Sequence, residues 1–233
     1  MRHPSSIVSL GLQAVTIAAA LGALALAVHA QGTDPAAMAS QYAASAKKNA
    51  ELTRHYTWQM RVAFSLKGEP KPATLYQMRF DADGKLQKTR LTAPPEEKQS
   101  HGIRGRIKEK KIEEFKDWAD TLSDLVKEYM APTPGTMMDF YAKAAYSHAA
   151  DGTVQVTAGG FIQPKDTVTF WLDPATKGTR RFAFQTVLDE DAVSGQLDFG
   201  QVPGGPQYAA RVIVNVPGKD VSATIENFNY QRQ

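Results

Sequence analysis

The chain has 233 residues, of which 42% are hydrophobic and 22% are charged, a composition typical of a folded globular protein. It contains no cysteine, which excludes disulfide bonds, thiolate metal sites, cysteine nucleophiles and the acylated cysteine of a bacterial lipoprotein. The formal net charge of +3 is too small to indicate a polyanionic partner such as nucleic acid.

The first thirty residues have the pattern of an export signal. Arg2 and His3 form a short basic start, and an apolar run rich in alanine and leucine follows over residues 7–28. Small residues at Val28 and Ala30 match the pattern that a signal peptidase recognises, so we predict cleavage after Ala30 and a periplasmic mature protein. The apolar run is also long enough to span a membrane, and a retained anchor is therefore the alternative.

The mature chain begins with a predicted helix and a strand. Asp34 followed by Pro35 is typical of a helix N-terminus, and the alanine-rich segment continues to about Arg54. Large apolar side chains then alternate with small or polar ones over residues 56–66. Because successive side chains of a strand point to opposite faces, this segment is predicted as a strand with one apolar face.

A predicted hairpin follows this strand. We expect the segment that contains Pro70 and Pro72 to end the first strand, because proline cannot donate to a strand ladder. The next strand is predicted over residues 73–80. The sequence Asp-Ala-Asp-Gly at 81–84 predicts a tight turn into a strand at 85–91. A calcium loop is the alternative that we set aside, because its later ligands are missing and Thr92 occupies the twelfth position.

The second half of the chain contains two predicted helices and then strands. Residues 92–106 are rich in proline, glycine and charge and form a predicted connection. Apolar residues at spacings of three and four predict an amphipathic helix over 107–130, and a shorter helix is predicted over 136–145. Turn residues separate six further predicted strands, near residues 153–157, 167–172, 180–188, 194–199, 208–216 and 221–230.

This order of elements predicts an α+β fold. Strands joined by short connections indicate a single antiparallel sheet, and strands with one apolar face need a cover. We therefore predict one domain over residues 31–233, in which a curved antiparallel sheet, an incomplete barrel, is covered on its concave face by α-helices.

Four segments resemble the LolA/LolB-like periplasmic lipoprotein-carrier superfamily. They are the strand that begins at Tyr56, the strand Tyr76 to Phe80, the turn Phe170 to Pro174 and the closing strand Ile225 to Tyr230. The resemblance implies a hydrophobic cavity between a curved sheet and a helical lid, which holds a lipid or a lipoprotein acyl chain. An envelope protein-interaction or sensor module with a filled core and no ligand is the alternative function.

The apolar faces of the first two strands and the long helix carry the candidate lining of such a cavity. Aromatic and methionine side chains offer an adaptable apolar surface. Whether they line a cavity or pack together as a dry core stays open from the sequence. The candidate ligand-binding residues are Trp58, Met60, Phe64, Tyr76, Met78, Phe80, Phe115, Trp118 and Leu122.

A basic cluster precedes and enters the long helix. Its cations alternate with Glu109, Glu113 and Glu114, which is typical of a solvated helix start. Contact with anionic lipid head groups or with an acidic partner is the functional alternative. The cluster comprises Arg104, Arg106, Lys108, Lys110, Lys111 and Lys116.

No catalytic, cofactor or metal motif accompanies these features. The histidines lack the spacing that places two ligands on one metal, and no Gly-x-Ser-x-Gly segment marks a serine nucleophile. We therefore expect a binding protein that is not an enzyme and needs no cofactor.

Overall fold

The computed structural model describes residues 34–93, 103–176 and 178–233, except for the side chains of residues 103–109, 111 and 112. The predicted export signal and its cleavage site lie outside the described residues. So do the side chains of Arg104, Arg106, Lys108 and Lys111 from the basic cluster.

Ten strands form a single, fully antiparallel sheet in the order β3-β2-β1-β10-β9-β8-β7-β6-β5-β4. From β4 to β10 the chain runs as a continuous meander, and β10 then pairs with β1. The sheet is curved and is not closed into a barrel, so β3 and β4 are its edges. The strands are β1 Tyr56–Leu66, β2 Glu69–Phe80, β3 Leu86–Arg90, β4 Ala145–His148, β5 Val154–Gly159, β6 Thr167–Leu172, β7 Thr179–Leu188, β8 Asp191–Gln201, β9 Gln207–Val216 and β10 Val221–Arg232.

In the part of the chain that the structure describes, three α-helices lie on one face of this sheet. They are α1 (Pro35–Thr53), α2 (Ile103–Met130) and α3 (Pro134–Lys143). The N-cap side chains of α1 and α3 each accept a backbone hydrogen bond: Asp34 accepts from Ala36 N, and Thr133 accepts from Thr136 N. The helix α1 packs against α3. The helix α2 approaches β7, and α3 approaches β5. Within the described ranges, no helix is long and apolar enough to cross a membrane.

Aromatic side chains form the centre of the core beneath α2 and α3. Phe170 and Phe182 meet with ring centroids 4.7 Å apart, and Tyr129 stacks on Phe184 at 4.3 Å. Phe140 of α3 contacts Phe170 edge to face at 5.1 Å. Because all five side chains are at most 1% exposed, their burial holds the two helices on the sheet.

The opposite face of the sheet is charged and open to solvent. A row of alternating charge crosses five neighbouring strands, from Arg61 through Glu226, Arg211 and Asp198 to Arg181. Two pairs in this row make ion pairs, Arg61 with Glu226 at 3.2 Å and Arg181 with Asp198 at 2.7 Å. The pattern explains why only one face of the sheet needs a helical cover.

The predicted fold class is confirmed: an α+β protein with a curved antiparallel sheet and helices on one face. The predicted turn at residues 81–84 is also confirmed. Its lead residue Asp81 accepts hydrogen bonds from Asp83 N at 3.0 Å, Lys85 N at 2.8 Å and Gln87 Nε2 at 2.5 Å. These bonds use both carboxylate oxygens of Asp81 to hold the turn.

The first strand ends at Leu66, as expected, but the prediction that Pro70 and Pro72 lie before a second strand that starts at residue 73 is wrong, because β2 begins at Glu69. Among the described residues, this part of β2 has a neighbour on one side only, since β3 pairs with β2 from Tyr76 onward. The register with β1 also shifts between Val62 and Phe64, opposite Pro72. A one-sided strand and a bulge both tolerate a missing N–H donor.

Other elements also differ from the prediction in their bounds or were not predicted. The helix α2 begins at Ile103, four residues early, and α3 covers 134–143 instead of 136–145. The edge strand β4 was missed because all four of its residues are exposed, which leaves no apolar alternation to detect.

Candidate functional site

A cavity of about 80 Å³ lies between α2 and the strands around β1. Alternate residues of β1, β2, β9 and β10 form the sheet side of its wall: Val62, Phe64, Thr74, Tyr76, Val212, Val214, Val221, Ala223 and Ile225. One face of α2 forms the other side, through Phe115, Trp118, Ala119, Leu122, Ser123 and Val126. The spacing of three and four on α2 and of two on the strands therefore brings two apolar faces together around a space.

Small side chains keep this space open. Ala119 of α2 is 5% exposed and Ala223 of β10 is 9% exposed, and both face the cavity. Ala223 stands directly opposite Phe64 across the β1–β10 pair. The register shift between β1 and β2 lies at the same place, where Pro72 joins the lining. A larger side chain at either alanine would occupy volume that is now unfilled.

The nine candidate ligand-binding residues fall into two groups in the structure. Five line the cavity, namely Phe64, Tyr76, Phe115, Trp118 and Leu122. The other four pack into the core at the far end of β1 and β2, namely Trp58, Met60, Met78 and Phe80. The sequence left a packed core and a cavity as alternatives. In the structure both occur, on different parts of the same sheet face.

Trp58 shows why the second group lies in the core. Its indole stacks on Tyr230 at 5.4 Å and lies 5.9 Å from the ring of Phe80. Its Nε1 donates to Asn227 Oδ1 at 3.2 Å. With its ring and its only donor both engaged, Trp58 offers no free surface to a ligand.

The cavity also has lining residues that the sequence interpretation did not select. Val212 and Val214 of β9, and Ala223 and Ile225 of β10, come to the site because β10 inserts between β1 and β9. Their alternation was visible in the sequence. Their position beside β1 depends on a pairing between opposite ends of the chain, which no local pattern reports.

Among the described side chains, one cation lines the cavity. Lys88 of β3 holds its Nζ 3.9 Å above the ring centroid of Tyr76. Partial burial lowers the pKa of Lys88, because the charged form loses hydration. Among the described side chains, Lys88 makes no ion pair with Asp or Glu.

Two further polar groups at the cavity have no partner within the described part of the chain. The Oγ of Ser123 and the Nε1 of Trp118 are buried and make no hydrogen bond there. A buried polar group without a partner costs free energy. Both are donors, so the cavity wall carries unused hydrogen-bonding capacity.

The C-terminal end of α2 is fixed by a buried polar network. Tyr129 Oη donates to Asp166 Oδ2 at 2.7 Å and lies 2.9 Å from Thr186 Oγ1. Asp166 also accepts from the backbone N–H groups of residues 161, 162 and 163 at 2.6, 2.7 and 2.8 Å. Burial opposes ionisation of Asp166, but these bonds outweigh it, and its pKa lies below the ordinary value.

No group of three or more His, Asp or Glu side chains that could hold a metal ion occurs in the residues that the structure describes. Of the predicted basic cluster, Lys110 and Lys116 have described side chains, and both are exposed. Lys110 forms an ion pair with Glu114 at 3.7 Å, as expected for a solvated helix.

No family model matches the chain, and no curated protein matches it. Among solved structures it is similar to a LolA superfamily protein from Nitrosomonas europaea (10% identity, 76% of this chain and 86% of that chain, TM-score 0.34). It is also similar to a putative outer membrane lipoprotein-sorting protein domain from Vibrio parahaemolyticus (8%, 76% and 85%, 0.38) and to a DUF1329 family protein from Desulfovibrio piger (11%, 86% and 94%, 0.37). At these identities and TM-scores the similarity assigns no role to this chain, and its function follows from its own residues.

Proposed function

We propose that this chain is an exported, non-enzymatic binding protein that holds a lipid, an acyl chain or another hydrophobic segment between its sheet and α2. The observation that carries the proposal is the cavity between α2 and β1, with its apolar lining and its unused donors. Apolar walls with a few convergent polar groups are typical of small-molecule sites.

The size of the cavity indicates a closed state. At about 80 Å³ it is far smaller than the roughly 300–1,000 Å³ of pockets that enclose small ligands. An acyl chain therefore requires α2 to move away from the sheet. Such a movement is reasonable because the cavity lies beneath Phe115 to Val126, whereas the polar network at Tyr129 fixes the C-terminal end of the helix. We propose that α2 tilts about this fixed end and serves as the lid.

Tryptophan fluorescence offers a test that reports the place of binding. Trp118 lines the cavity, Trp58 is enclosed in the core, and Trp171 lies on β6. A neutral brominated alkanol such as 12-bromododecan-1-ol quenches tryptophan at short range. We expect saturable quenching in the wild type that disappears in Trp118→Phe and persists in the matched control Trp171→Phe.

The alternative is an interaction module with a filled core. Two observations support it: the small cavity volume, and the tight packing of Trp58, Met60 and Met78. It predicts no saturable quenching by the alkanol and no lipid in an organic extract of the purified protein. Quenching that survives Trp118→Phe would place any ligand elsewhere and would overturn the proposed site.

A further inference from the structure

The edge strand β3 turns two cations toward the covered face of the sheet. Leu86, Lys88 and Arg90 are half-buried, whereas the intervening Gln87 and Thr89 are exposed. Lys88 pairs across the ladder with Met78, and Arg90 with Tyr76, whose side chains belong to the core and the cavity wall. Strand alternation thus directs two charges inward, to the place where apolar residues are the rule.

These inward charges lack compensation within the described part of the protein. Neither Lys88 nor Arg90 makes an ion pair with a described acidic side chain, and the Nε of Arg90 is buried without a hydrogen-bond partner. The ring of Tyr76 beneath Lys88 offsets part of the lost hydration. Inward charges on an edge strand also discourage pairing with another sheet, which is the structural alternative.

The cavity itself complements a negative charge. Lys88 is the charged residue of its lining, and no Asp or Glu contributes to the described wall. The unpartnered groups of Trp118 and Ser123 add an N–H and an O–H donor to the same wall. Apolar walls with a cation at the β3 side and unused donors fit a molecule that has an alkyl chain and an anionic head.

We infer that the ligand is an anionic amphiphile and that Lys88 selects it by binding its head group. The inference rests on the proposed function, because it requires the alkyl chain to lie between the sheet and α2. A carboxylate and a phosphate monoester share the required chemistry, since both accept a charge-assisted hydrogen bond from an ammonium group.

The test compares three ligands of equal chain length: dodecanoate, dodecyl phosphate and dodecan-1-ol. Each displaces a neutral fluorescent probe, N-phenyl-1-naphthylamine, from the full mature chain at pH 8 and 150 mM salt, below the micelle concentration. We expect at least one anion to bind at least about tenfold more tightly than the alcohol, as one charged hydrogen bond provides. The better of the two anions identifies the head group.

Three variants assign this preference to Lys88. Lys88→Met keeps the apolar stem and should lower anion affinity by much more than alcohol affinity, so that the preference for the anion disappears. Lys88→Arg keeps the charge and should retain most of the preference. Lys85→Met removes an equal charge from an exposed position outside the cavity lining, and it should bind like the wild type. Thermal unfolding of each variant verifies that it is folded.

The outcomes separate this inference from the proposed function. If the alcohol binds as tightly as both anions, the inference is overturned and the proposed function stands. Equal losses of alcohol and anion in Lys88→Met, or equal losses in Lys85→Met and Lys88→Met, also overturn it. If neither the probe nor the alcohol binds, the proposed function itself fails, and the inference with it.

Discussion

Filling the cavity from the helix side gives a quantitative prediction. Ala119 lines the cavity and is 5% exposed, so Ala119→Leu adds three carbon atoms to the unfilled volume. Stability changes by about 24 cal/mol per Å³ of cavity volume, so filling 80 Å³ raises the free energy of unfolding by at most about 2 kcal/mol. Alanine and leucine have similar helix propensities, so the helix itself contributes little to the change.

Urea unfolding measures the stability, and the bromoalkanol titration measures the binding. A gain of about 2 kcal/mol corresponds to a rise of about 4–8 °C in Tm for a domain of this size. We expect Ala119→Leu to gain stability and to lose alkanol binding, because the leucine occupies the ligand's place. Ala44→Leu, at an exposed position of α1, is the matched control and should change neither property.

Two results would refute this reasoning. A loss of stability in Ala119→Leu would show that the space cannot accept the added volume, since overpacking costs about 1–3 kcal/mol. A gain of stability with unchanged alkanol binding would show that the cavity is a packing defect and that ligands bind elsewhere.

Three other predictions concern the anchor of α2, its pH dependence and the export signal. Tyr129→Phe removes a hydroxyl that bonds a buried carboxylate and should lower the free energy of unfolding by about 1.5–3 kcal/mol in urea, whereas Tyr146→Phe at an exposed position should leave it unchanged. The pKa of Asp166 is lowered in the folded state, so its contribution to the free energy of unfolding is complete above the ordinary carboxyl pKa of about 4 and declines as the pH falls below it. Asp166→Asn should therefore weaken the loss of stability at acid pH, and an unchanged loss would contradict the assignment. Edman sequencing of protein from the periplasmic fraction of an expressing bacterium should begin at Gln31, and a chain that keeps residues 1–30 in the membrane fraction would contradict the predicted cleavage.

The local patterns of the sequence predicted most elements of the fold. The alternation from Tyr56 to Leu66 predicted the bounds of β1 that the structure has, and the Asp34-Pro35 pair located the start of α1. Failures occurred where the local rule depends on neighbours. Pro70 is tolerated because β2 has one partner among the described strands at that point, and a sequence does not show how many partners a strand has.

The candidate site was predicted only in part, for a geometric reason. Trp58 and Phe64 share one face of one strand, yet Trp58 packs against Tyr230 and Phe64 borders the cavity. Alternation identifies the face of a strand, but the position along that face depends on where α2 crosses it. That crossing is set by Tyr129 and Asp166, which lie 37 residues apart in the chain, and by the insertion of β10 beside β1.

The placement of the cavity relative to the α2 anchor has a mechanical consequence. The aromatic core and the Tyr129 network lie under the C-terminal end of α2, and they hold this end of the helix to the sheet. Around the cavity the contacts of α2 leave an empty volume and two donors that have no partner among the described residues, so this part of the interface contributes less stability than a filled one would. Separation of α2 from the sheet should therefore begin at the cavity and stop at Tyr129, without exposing the aromatic core. A lid with this gradient of stability can open for an alkyl chain while the domain remains folded.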